Sequence, residues 1–98
     1  NTAEAISGIP SSWPGYTLEQ GSQGPKVRQI QEQLNVIAGA YPEIPKLEED
    51  GIYGPETEAA VRKFQSIFGL PVTGEIDYKT WYKISEIYVG VSRIAELS

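Results

Sequence analysis

The chain has 98 residues, carries a formal net charge of −5, and contains neither cysteine nor histidine. That length fits one domain built on one modest core. The missing residue types remove disulfides, thiol nucleophiles, Ser-His-Asp triads and the common zinc sites, and the acidic balance argues against nucleic acid, whose phosphates select basic surfaces.

Residues 1–17 are rich in Gly, Pro, Ser and Thr and lack helical periodicity. Ile6, Ile9, Trp13 and Tyr16 supply apolar anchor points, so the segment reads as an irregular N-terminal arm packed on a helical domain spanning 18–98. No apolar run is long enough to span a bilayer, and the chain reads as one module of a larger polypeptide.

The first helix is predicted from Pro25 to Ala38. Pro25 suits the first helical position, Ser22 and Gly24 offer cap chemistry, and Gly39 ends the helix. Val27, Ile30, Leu34 and Ile37 then share one face. Residues 40–50 form a loop broken by Pro42 and Pro45, with Tyr41, Ile44 and Leu47 pinning it to the core. The run Glu48-Glu49-Asp50 lacks the alternating oxygen ligands of a calcium loop and reads as a solvated face.

A second helix is predicted from Pro55 to Phe68, stopped by Gly69 and Pro71, with Ala60, Val61, Phe64, Ile67 and Phe68 inward. A third starts after Asp77, a good N-cap, and continues past Gly90. Trp81, Ile84, Ile87, Tyr88 and Val91 make its first apolar stripe, extended by Ile94. Tyr78, Tyr82 and Val89 make a second stripe, for which the arm, through Trp13, is the expected cover. The predicted fold class is therefore all-α, a three-helix bundle.

The units repeat. Val27-Arg28 with Ile30-Gln31 matches Val61-Arg62 with Phe64-Gln65 at an offset of 34 residues. The phrase Gly51-Ile52-Tyr53 with Thr57 recurs as Gly74-Glu75-Ile76 with Thr80. Gly51, Gly54 and Gly74 are turn residues first, where a glycine permits positive φ or close approach, and Asp50 and Asp77 are turn or cap residues. Gln31 and Gln65, each beside a buried stripe, are placed to reach loop amides and carbonyls and hold helix against loop. Arg28 and Arg62 lean toward solvent.

Three phrases carry a family resemblance. The first holds Leu18, Gly21, Ser22, Gly24, Val27, Ile30, Gln31 and Leu34. The second holds Asp50, Gly51, Tyr53, Gly54, Thr57, Ala60, Val61, Phe64 and Gln65. The third holds Gly69, Leu70, Thr73, Gly74, Asp77 and Thr80. In this order and spacing the chain resembles the small peptidoglycan-binding domain family of bacterial cell-wall hydrolases, over about Leu18 to Ile87. Ile30 replaces the family's Leu, and Tyr53 its Phe.

The resemblance implies non-catalytic binding of peptidoglycan, through glycan strand or stem peptide. The module would anchor an attached hydrolase or a wall- or spore-associated protein outside the cell, as a monomer without cofactor, metal, nucleic acid or membrane insertion. The expected contact residues are Arg28, Tyr53, Thr57, Tyr78 and Thr80. The tyrosines and threonines would line one shallow groove at the starts of the second and third helices, and Arg28 would hold a carboxylate or acetamido oxygen. Paired carboxylates for glycoside hydrolysis need a desolvated cleft that a small bundle does not offer. The alternative is a prodomain or protein-interaction module, since the pattern also resembles the metalloproteinase propeptide domain. Without cysteine, that version could act only sterically. A packing domain within a larger enzyme is the remaining rival.

Overall fold

The computed structural model describes residues 13–97, and the expectations resting on Ile6, Ile9 and the side chain of Ile94 lie outside the described residues. Three helices follow one another: α1 (Pro25–Ala40), α2 (Pro55–Ile67) and α3 (Tyr78–Leu97). The chain is all-α, and α1 and α3 form the principal helix pair. Val27, Ile30, Leu34 and Ile37 of α1, Ala60, Val61 and Phe64 of α2, and Trp81 and Ile84 of α3 are buried together, as their helical spacing requires. Ile44 joins them from the α1–α2 loop, and Tyr41 and Leu47 pack on the margin.

The helix boundaries have local causes. Pro25 and Pro55 open α1 and α2, where a missing N–H costs nothing. The α1 cap is Gly24, with no side-chain hydrogen bond. Ser22 instead closes a turn upstream, its hydroxyl accepting the Glu19 N–H at 3.0 Å, so the cap role predicted for Ser22 is corrected. Helix α1 also runs through Gly39 to Ala40, because the Tyr41 N–H still reaches the Ile37 carbonyl at 2.9 Å. A glycine inside a helix costs only about 1 kcal/mol relative to alanine. Helix α2 ends at Ile67; Gly69 at φ +74° turns the chain and sends the Leu70 N–H back to the Gln65 carbonyl at 2.9 Å, a left-handed C-terminal cap. Asp77 caps α3 by accepting the Thr80 N–H at 3.0 Å, and α3 passes Gly90 as its periodicity predicts.

Two isolated antiparallel bridges tie the segment before α1 to the two interhelical loops. Leu18 pairs with Ile76 through N–H···O bonds of 3.0 and 2.9 Å, and Gln23 pairs with Ile52. Around the second bridge, Tyr53 N–H reaches the Ser22 carbonyl at 3.0 Å and Gly24 N–H the Gly51 carbonyl at 2.9 Å. Residues 18–24 thus lie as a seam along both loops.

Trp13 is half-buried and meets Tyr78 and Trp81 edge-on, with ring centroids 5.7 and 5.9 Å apart. Tyr78, Tyr82 and Val89 nevertheless stay 46%, 40% and 39% exposed, so Trp13 borders the second stripe without covering it.

Candidate functional site

The two loop-to-helix units are built on one plan. In the first, the Gln31 carboxamide oxygen accepts the Gly51 N–H at 2.8 Å. Its nitrogen donates to the Ile52 carbonyl at 2.9 Å, to the Thr57 hydroxyl at 3.1 Å and to Asp50 at 3.1 Å. In the second, the Gln65 oxygen accepts the Thr73 and Gly74 N–H groups, each at 3.0 Å. Its nitrogen donates to the Glu75 carbonyl at 3.0 Å and to the Thr80 and Thr73 hydroxyls, each at 3.1 Å. Both glutamines are 1% exposed. Each side chain therefore satisfies loop groups that water cannot reach, the role its place beside a buried stripe predicts.

Glycine is required at two of these turns for different reasons. Gly51 sits at φ +75°, and an added Cβ would lie 3.2 Å from the Gly24 carbonyl oxygen that passes it. Gly74 sits at φ +78°, and its Cβ would come within 2.9 Å of the Arg62 and Glu58 side chains. Gly54 differs from the turn role predicted for it: at φ −107°, ψ −168° it is ordinary extended backbone capping α2.

Three of the five predicted contact residues belong to this frame. Tyr53 is 1% exposed, and its hydroxyl donates to the Gly74 carbonyl at 2.6 Å. Thr57 and Thr80 are each 3% exposed and accept from the glutamines. The expectation that Tyr53 offers a ring face is corrected by its burial; Thr57 and Thr80, though buried and bonded to the clamp, still line the depressions at the helix starts. Their repeated position, read as a groove, is the signature of a repeated clamp. Burial, reinforced by the carboxylates of Glu58 and Glu75, holds the Tyr53 hydroxyl well above the ordinary tyrosine value.

The other two are open to solvent. Arg28 keeps 62% of its side-chain surface and pairs loosely with Glu32 at 3.4 Å, and Tyr78 is 46% exposed. The structure does not bring them together. Instead of one groove, the surface carries separate depressions at the starts of α2 and α3. The first, of about 370 Å³, is lined by Lys46, Leu47, Glu48, Asp50, Glu56 and Thr57, among others. The second, of about 360 Å³, is lined by Leu70, Pro71, Thr73, Asp77, Tyr78, Lys79 and Thr80. Arg28 lines neither; it borders a third, with Gly24, Pro25, Asp50 and Ile52.

Charges around the first depression are fixed locally. The Ile52 N–H at 3.0 Å, and next the Gln31 amide, hold the Asp50 carboxyl below its usual range. Glu58, at the other edge of α2, is held low by hydrogen bonds from Gln20 and from Arg62. Among the described residues no group of three His, Cys, Asp or Glu side chains is disposed to hold a metal.

Sequence reasoning missed two structural side chains. Asn35 brackets Leu47, donating to its carbonyl and accepting its N–H, both at 2.8 Å. An asparagine in a helix interior is a poor helix former and so was the available signal. Gln20 carried no such signal, because its partner Glu58 lies 38 residues away.

Comparisons with known proteins agree with this architecture. A family model described as "Putative peptidoglycan binding domain" matches residues 23–84. A zinc D-Ala-D-Ala carboxypeptidase of Streptomyces albus G is 41% identical over 76 residues, which is 78% of this chain and 28% of that protein. An autolytic lysozyme of Clostridium acetobutylicum is 50% identical over 46 residues, or 47% of this chain and 13% of that protein. Among solved structures, the SleB N-terminal domain superposes with a TM-score of 0.67 at 29% identity, covering 78% of this chain and 97% of that one. The chain thus spans only a small part of the two wall-acting enzymes it matches, and with the family pattern running from α1 into α3 it belongs to the peptidoglycan-binding domain family.

Proposed function

We propose that this module binds bacterial peptidoglycan without cutting it and holds an attached hydrolase, or another wall- or spore-associated protein, against its substrate. The observation that carries the reading is the family match across both glutamine-clamped units. It is supported by relatives whose names place them on the cell wall, a carboxypeptidase and a lysozyme. Tethering raises the local concentration of substrate around a linked enzyme without any new contact at its active centre.

The protein would act outside the cell, in the wall or a spore envelope, as a monomer. Residues 18–98 would form the helical domain, with 1–17 as its arm. Of the five residues picked from sequence, Arg28 and Tyr78 are the proposed ligand contacts. Arg28 offers a cation to a carboxylate or acetamido oxygen. Tyr53, Thr57 and Thr80 act behind the surface as its frame.

The test is co-sedimentation of the purified 98-residue chain with insoluble peptidoglycan of several cross-linking chemistries, with the supernatant assayed for products. Sedimentation without release of reducing sugars or stem peptides is the expected result. Product release would make the domain an enzyme. Failure to sediment with every wall type would return the choice to a prodomain or packing role.

A further inference from the structure

The internal repeat makes the molecule its own control. The loop residues that the two glutamines hold recur at a constant spacing: Gly51 and Gly74, Thr57 and Thr80. The linings of the first two depressions align at that same spacing of 23 residues, Leu47 with Leu70 and Glu56 with Lys79. Recurrence marks what the fold demands. Where the two linings differ, the fold leaves the choice free, and the differences are large. The first depression carries Glu48, Asp50 and Glu56 against Lys46. At the matching places the second has Pro71, Thr73 and Lys79, with Asp77 where the first has Gly54 and Tyr78 where α2 has Pro55. One is acidic; the other balances one carboxylate against one ammonium and is otherwise uncharged.

The second depression also continues onto an aromatic surface. The Tyr82 ring lies 6.3 Å from that of Tyr78 with a 30° tilt, so the two faces run side by side along α3. Both are about two-fifths or more exposed. Trp13 touches Tyr78 edge-on and steadies the ring while leaving it open.

We propose that this depression and the Tyr78–Tyr82 pair form a glycan subsite, over which adjacent amino-sugar rings of the peptidoglycan strand lie. The inference rests on the wall-binding reading and selects the glycan over the stem peptide. Stem peptides carry free carboxylates, which a chain of net charge −5 and an acidic neighbouring depression repel. An amino-sugar strand presents uncharged C–H faces that pack on aromatic rings, and hydroxyl and acetamido groups that need a few polar partners. Asp77 and Lys79 line the depression as those partners. Tyr82 becomes a contact residue that neither the motifs nor the repeat singled out.

The experiment measures retention of the full chain on intact sacculi against two soluble competitors, free stem peptides and the peptide-free glycan strands that an amidase releases. The wild type should resist the stem peptides and be displaced by the glycan strands. Tyr78→Ala and Tyr82→Ala should each weaken retention about tenfold, and Tyr82→Ala should melt like the wild type. Tyr82→Phe keeps the ring and should bind normally, as should Glu48→Gln in the acidic depression. Displacement by stem peptides and not by glycan strands would overturn the glycan assignment and leave wall binding standing. Normal retention of Tyr82→Ala with a lowered melting temperature would also overturn it, giving the face to the chain's own residues 1–12. No retention on intact sacculi would defeat the wall-binding reading, and this inference with it.

Discussion

Gln65 holds two backbone N–H groups, a carbonyl and two hydroxyls, of which the Gly74 N–H and the Thr80 hydroxyl belong to buried residues. Gln65→Ala takes this partner from both, whereas the Thr73 hydroxyl and the Glu75 carbonyl keep each other at 3.3 Å, and each orphaned buried group costs about 1–3 kcal/mol. The substitution should therefore remove about 2 kcal/mol or more, read as a lower urea midpoint; a loss no larger than that of the half-buried Gln29→Ala would contradict the clamp. Tyr53 makes a pH-dependent contribution. Tyr53→Phe deletes the 2.6 Å bond to the Gly74 carbonyl and should cost about 1–2 kcal/mol at neutral pH. The folded state raises the Tyr53 pKa, so its stabilisation is full below the unfolded tyrosine value of about 10 and declines as pH rises beyond it. Denaturation across that range should show wild type and variant converging in alkali. A constant gap would mean that the hydroxyl is not held neutral by burial.

At the scale of elements, the stripes along all three helices were legible because core packing imposes a 3.6-residue period that the sequence must obey. Gln31 and Gln65 were legible because they recur at the same phase. The contact residues were read less well for a related physical reason: Thr57 and Thr80 recur because the clamp needs them, so repetition pointed to frame rather than to surface. Sequence showed that Tyr78 and Tyr82 share a stripe, yet a stripe alone does not say whether it is covered. Trp13 joins the arm to that stripe, and its edge-on contacts with Tyr78 and Trp81 make a measurable contribution. Trp13→Ala removes part of a large aromatic's burial, worth about 1.5 kcal/mol for a half-buried ring. In a domain of this size that corresponds to a melting temperature lower by roughly 6–12 °C. An unchanged melting temperature would show that the arm is not coupled to the bundle.

For the molecule as a whole, a net charge of −5 implies that, in the proposed wall-binding role, short-range packing and hydrogen bonds rather than long-range attraction would hold it on an anionic wall. Retention should change less than about tenfold between low and moderate salt, since a binder that releases several counterions loses far more. A steep fall would point to ion pairing through single exposed cations such as Arg28. The seam of residues 18–24 has a mechanical consequence for any protein that uses this module as a mooring. Tension entering from the N-terminal side reaches the Leu18–Ile76 bridge first and the Gln23–Ile52 bridge next. The load therefore falls on a few backbone hydrogen bonds across the two loops before it reaches the turns of α1. Because those loops also shape the depressions on the surface, a pull strong enough to part the seam would slacken the module's grip while its helices were still wound.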